Sequence, residues 1–170
     1  PAILIGHSLG GPLVGWIALD HPDKVCGVVM IAGSIAPAQE APRWYNHAAD
    51  TWFAHWLLPD ELLWSNREIL PLQTELQKLD RQWPRLQRPV IVIQGEKDSL
   101  VDPRTADYAE QRLPAPWRQI LRVADGGHFL LWKQPERVIE AIRSLPCPPV
   151  PDPTSAQQTR ADPKPETGVQ

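Results

Sequence analysis

Three residues could do chemistry together: Ser8 in Gly6-His7-Ser8-Leu9-Gly10, Asp98 in Gly95-Glu96-Lys97-Asp98, and His128 in Asp125-Gly126-Gly127-His128-Phe129. A serine hydroxyl is a poor nucleophile until a base takes its proton, and imidazole is the side chain suited to that task near neutral pH. A carboxylate is then needed to orient the ring and stabilise its cation. The set therefore offers acyl transfer through a covalent intermediate, with the Leu9 N–H as an oxyanion donor. Gly-x-Ser-x-Gly alone is a weak signal, because glycine and serine are common. Its weight comes from position, since it follows an apolar run and opens a helical one, the setting of a tight strand-to-helix turn. Gly6 and Gly10 are both expected there because a side chain at either would collide with that turn. The plain alternative is a glycine turn without chemistry.

The elements that must hold these residues are legible as alternating strands and helices. Residues Ala2 to Ile5, Val25 to Ala32, Pro89 to Gln94 and Gln119 to Val123 read as four strands, three of them continuously apolar and the fourth more polar. Helical spacing marks Pro12 to Leu19, Arg104 to Leu113 and Pro135 to Leu145. Continuous apolar strands alternating with helices predict an α/β fold with a parallel sheet covered on both faces. In such a sheet the loops after each strand open at one edge. Ser8, Asp98 and His128 each follow a strand, so topology puts them on the same edge.

Competing residues are weaker. Asp102 immediately precedes Pro103 and suits a helix cap near Arg104, and Glu96 lies close to the strand end. His7 is expected to pack or hydrogen-bond locally, and it joins Trp52 and Trp56 as a candidate substrate contact. His21, His47 and His55 have no comparable placement.

Residues 36–88 break the rhythm. They are too many for an ordinary connection and carry Trp44, Trp52, Phe53, Trp56, Trp64 and Trp83, which suits a helical lid or cap over an apolar substrate group. Packing of lid helices on the core accounts for most of these tryptophans equally well. Residues 146–170 are rich in Pro, Thr, Gln and charge and are expected to be disordered. The folded domain is accordingly expected over 1–145.

A net charge of -3 and a pI near 5.9 give no footprint for nucleic acid. No apolar run is long enough for a membrane span. A small-molecule substrate is the expected partner, with no metal and no cofactor, and the oligomeric state is left open. Cys26 lies in an apolar run and Cys147 in a proline-rich stretch, so two unpaired thiols and a reduced, cytoplasmic setting are expected. The chain opens on Pro1 and enters a strand at once, from which loss of an N-terminal segment is expected.

The segments ILIGHSLGG, PVIVIQGEKDSLVDP and GGHFLLWKQPERVIEAI, in the order Ser, Asp, His, resemble the α/β-hydrolase superfamily. The resemblance covers residues 2–145 outside the insertion. It implies that the four strands correspond to the fifth to eighth of that fold, and that a second oxyanion donor belongs to a loop this chain lacks. It also implies a serine esterase-like hydrolase with Ser8, Asp98 and His128 as triad. The aspartate-dependent epoxide hydrolases and haloalkane dehalogenases of the fold are disfavoured by Ser8. The contrasting expectation is a non-catalytic relative that binds a small ligand, or an inactive fragment.

Overall fold

The computed structural model describes residues 1–40 and 60–147. Among them, four strands form one parallel sheet in chain order: β1 (Ala2–His7), β2 (Val25–Ile31), β3 (Val90–Gly95) and β4 (Arg118–Val123). Each lies within a residue or two of its expected range, because branched apolar runs can be buried on both faces only in a covered parallel sheet. β2 and β3 occupy the centre and are buried almost throughout. The polar run of β4 fits its place at the edge.

Helices cover both faces. On one side α1 (Gly10–Asp20), α2 (Asp60–Asp80), a 3-10 turn (Trp83–Arg85) and α3 (Thr105–Arg112) enclose Val28, Met30, Val90 and Val92. On the other, α4 (Leu130–Lys133) and α5 (Pro135–Ser144) cover Val29, Ile31, Ile91 and Ile93. The period-two alternation of β2 and β3 supplies both cores. α1 and α5 occupy their expected positions; α4 is a single turn with too few residues to show a helical period.

The last part of the 36–88 stretch belongs to the core. Leu76, Leu79, Trp83 and Leu86 are all buried in the cluster beneath α1. A Cβ added to Gly15 would stand 2.5 Å from the Trp83 ring, so the helix and the indole interlock through the missing side chain. Truncation of an indole buried this way costs about 3–5 kcal/mol. Residues 41–59 of the expected lid, with Trp44, Trp52, Phe53 and Trp56, lie outside the described residues, as do residues 148–170 of the tail.

The expectation of two unpaired cysteines is corrected: Cys26 and Cys147 form a disulfide, with a Cα–Cα distance of 5.4 Å. The physical reason is a bulge. The register of β1 on β2 slips between the pairs Ala2–Val25 and Ile3–Gly27, and an extra residue of this kind re-aims a side chain. Cys26 is that residue, and Val25 and Gly27 pack on opposite faces, Val25 under α1 and Gly27 against Leu145. α5 runs back to the start of the strands and delivers Leu145 and Cys147 there; a Cβ on Gly27 would lie 3.0 Å from Leu145 and 3.4 Å from the Cys147 sulfur. The cysteine argument for a reduced compartment falls with the pairing. No described helix is long and apolar enough to cross a membrane.

Candidate active site

Ser8 follows β1 with a φ of 54°, in the left-handed region that a non-glycine residue rarely adopts. Two close approaches allow this turn. A Cβ on Gly6 would fall 2.1 Å from the Gly10 carbonyl oxygen, so only glycine fits. Gly10, expected to be equally constrained, would meet nothing within 4 Å. The second constrained position is Gly11, whose added Cβ would lie 2.9 Å from Gly33 Cα, because the exit of β2 presses on the first turn of α1. The Ser8 carbonyl accepts from the N–H groups of Gly11 (3.0 Å) and Ser34 (3.2 Å), and the Ser8 N–H donates to Ile31 (3.0 Å). The turn is thus held from both neighbouring segments. Leu9 caps α1, where the first N–H groups of a helix have no partner within it and the helix dipole favours an anion.

His128 and Asp98 are brought together by backbone. Glu96 N–H donates to Val123 and Lys97 N–H to Gly126, each at 2.9 Å, so the loops after β3 and β4 are tied to each other. The approach requires glycines: a Cβ on Gly95 would lie 2.4 Å from the Gly126 oxygen. His128 Nδ1 then lies 3.0 Å from Asp98 Oδ2, with both side chains buried. Oδ1 of Asp98 accepts from the N–H groups of Leu100 and Val101, both at 2.9 Å, which fixes the carboxylate before the imidazole reaches it. Oδ2 also accepts from Gln94 Nε2 at 3.3 Å.

The competing acids are elsewhere. Asp102 accepts from Arg104 N–H (2.9 Å) and forms a bidentate pair with the Arg104 guanidinium, whose hydrogen bonds hold its carboxyl below the ordinary range. It stabilises the turn before α3, as its place before Pro103 suggested. Glu96 is exposed.

His7 reaches across from the serine turn. Its Nε2 is 2.8 Å from the His128 carbonyl oxygen, and its ring stands 4.7 Å from that of His128 and edge-on to Trp132 at 4.9 Å. The bond requires a proton on Nε2 and links the Ser8 turn to the His128 loop. Local hydrogen bonding by His7 was expected, but the partner is 121 positions away. Exposed Phe129 and Trp132 complete an aromatic cluster around the two imidazoles. Trp52 and Trp56 lie outside the described residues. Among the described residues no cluster of His, Cys, Asp or Glu could hold a metal ion.

The sequence reading passed over Gln94 and Gly11. Gln94 was detectable as the one polar side chain in the run PVIVIQG; Gly11 was hidden because its partner, Gly33, is close only in space.

A sequence model described as the alpha/beta hydrolase family matches residues 1–141. The chain belongs to the α/β-hydrolase family. Solved α/β folds similar to it include a monoacylglycerol lipase of Paleococcus ferrophilus, with a TM-score of 0.62, 18% identity, and coverage of 82% of this chain and 65% of that one. A lipase-esterase related protein of Clostridium acetobutylicum aligns with a TM-score of 0.59 and 19% identity over 84% of this chain and 65% of its own. A CIB-like hydrolase of Thermoplasma acidophilum gives 0.53 and 16% over 83% and 48%. The pyrethroid hydrolase of Sphingobium wenxiniae is 40% identical over 42 residues, which are 25% of this chain and 15% of that protein. The chain thus spans about half to two thirds of these hydrolase structures, and a smaller share of the pyrethroid hydrolase. These alignments place the four-stranded sheet within the family's fold.

Proposed function

We propose that this α/β hydrolase cleaves carboxylic esters carrying an apolar group, through an acyl-enzyme formed on Ser8. The observation that carries the reading is the buried Asp98–His128 hydrogen bond, held by backbone on the same sheet edge as the strained Ser8 turn. In this reading His128 takes the Ser8 proton as the hydroxyl attacks the carbonyl carbon. The tetrahedral oxyanion lies against the Leu9 N–H and the start of α1. His128 then returns the proton to the leaving alcohol, and water repeats the sequence to release the acid. Asp98 stabilises the imidazolium at each stage. No metal or cofactor has a part in these steps.

Two features support an apolar group. Phe129 and Trp132 present exposed rings beside His128. A cavity of about 360 Å³ begins at Leu9 and runs between α1 and α2, lined by Leu13, Trp16, Leu72 and Leu76. The lipase and pyrethroid hydrolase among the similar proteins act in the same direction, as analogy.

Labelling by a fluorophosphonate tests the proposal. Covalent adduct on the parent, lost in Ser8→Ala and His128→Ala, together with turnover of p-nitrophenyl esters, is the expected result. Binding of apolar esters with neither labelling nor turnover would make the protein a ligand-binding relative instead.

A further inference from the structure

Gln94 is 1% exposed, at the next-to-last position of a strand whose other side chains are apolar. Its Nε2 donates to Asp98 Oδ2 (3.3 Å) and to the Gly95 carbonyl (3.2 Å). Its Oε1 is buried without a hydrogen-bond partner. An unpartnered buried carbonyl is costly, and leucine or methionine would fill this space without that cost. The amide cannot relieve it by turning over. Oε1 would then face Asp98 Oδ2 and the Gly95 oxygen, two acceptors, so the carboxylate itself fixes the orientation.

Asp98 Oδ2 is therefore shared between two donors, His128 Nδ1 and Gln94 Nε2, while Oδ1 is occupied by two backbone N–H groups. A carboxylate oxygen already bonded to a neutral donor attracts an imidazolium less strongly than one left to the imidazole alone. We propose that Gln94 is a positioning residue that acts through Asp98: it aims Oδ2 and holds down the proton affinity of His128. This rests on the triad reading only for its catalytic consequence. In that reading the strength with which Asp98 holds the His128 ring is set in part by Gln94.

Among the described residues, the other groups around the ring are few. His7 lies against it from β1, and Phe129 and Trp132 are uncharged. Glu96, Lys97 and Asp125, on the flanking loops, are exposed. Asp98 is thus the charged side chain in buried contact with His128, and Gln94 is the side chain that shares its oxygen.

The experiment is an NMR titration of the imidazoles, with the His128 resonance assigned by its disappearance in His128→Gln and that of His7 by His7→Gln. Gln94→Leu and Gln94→Met remove the donor while keeping bulk, and either suffices if the other fails to fold. The expected result is a rise in the His128 midpoint by about half to one pH unit, the scale of one net hydrogen bond. The acid limb of kcat/KM for ester turnover moves up with it. An unchanged or lowered His128 midpoint in a folded variant overturns the proposal; a merely structural glutamine would alter stability and leave the midpoint in place. The two readings fail separately. Loss of Ser8-dependent turnover in the parent would sink the esterase reading, whereas the titration needs no turnover.

Discussion

The two edges of the sheet are built on opposite principles. At the edge where the strands end, Ser8 is held at a φ of 54° and Ala32, at the exit of β2, at 46°. Loops there approach so closely that glycines must line them, and Gln94 keeps a buried oxygen unpaired. Where the chain leads into the strands, arginines and a disulfide tie segments together, although Trp83 Nε1 is also buried with no partner among the described residues. Arg88 donates to the carbonyls of Pro22 (2.8 and 2.6 Å) and Val25 (2.9 Å), tying the entry of β3 to that of β2. Cys26 and Cys147 close the far face, and Asp80 accepts from Arg112 and Tyr108 between α2 and α3. Left-handed non-glycine residues cost about 1–3 kcal/mol each and persist only where the surroundings over-determine them. The strained backbone at one edge thus stands beside cross-segment ties at the other.

This contrast can be broken at either edge. The largest expected effect is on chemistry at the strained one. If the proposed esterase reading holds, Ser8→Gly lowers ester turnover by about 10⁴-fold or more, yet it should raise thermal stability, because glycine adopts a positive φ without penalty. Loss of stability in Ser8→Gly would mean the turn is unstrained. On the same reading, Asp98→Asn should lower kcat by about 10⁴-fold by presenting the wrong partner to Nδ1, with substrate affinity little changed.

At the opposite edge, Cys26→Ser should lower the unfolding free energy by about 2–4 kcal/mol and leave turnover per folded molecule intact. Arg88→Ala should cost about 2 kcal/mol by freeing carbonyls it serves, again without a change in kcat. A fall in kcat for either variant, measured where the protein is fully folded by circular dichroism, would show that the two edges are not separable.

The smallest effects concern acid and strain. Burial alone would raise the Asp80 carboxyl, but hydrogen bonds from Arg112 and Tyr108 outweigh it and hold it below its ordinary value. A carboxylate depressed in the folded state stabilises above its unfolded pKa, near 3.9, and this contribution is lost as pH falls through the folded value. Asp80→Asn should therefore narrow the difference in Tm between pH 6 and pH 3; an unchanged difference would remove Asp80 from the acid response. Ala32→Gly should stabilise by up to about 1 kcal/mol, read by urea denaturation.

What could be read from the sequence differs between the edges for the same reason. The ends of strands carry their own signals: Ser8, Asp98 and His128 each follow a strand, and a parallel sheet brings such positions to one side whatever the details of packing. Strand ranges were accordingly recoverable to within a residue or two, and the Asp98–His128 contact follows from β3 and β4 being neighbours. The beginnings of strands carry no such marker. Pairing of Cys26 with Cys147 depends on a one-residue bulge and on where α5 ends, and Arg88 finds carbonyls more than 60 positions away. Trp83 read as lid because nothing local distinguishes an indole over a substrate from one set into a glycine notch on α1. Gly10 and Gly11 could not be told apart, since the constraint comes from Gly33.

The ties between Glu96 and Val123, Lys97 and Gly126, and His7 and His128 have a mechanical consequence. The Ser8 turn and the loops of Asp98 and His128 form one plate, tied by backbone between the neighbours β3 and β4 and by the His7 bond that reaches from β1 to the loop after β4. Ties of this kind would carry Ser8, Asp98 and His128 together when the edge moves. In the reading proposed here, substrates would be selected by what can settle on the plate rather than by how far the plate can flex to receive them.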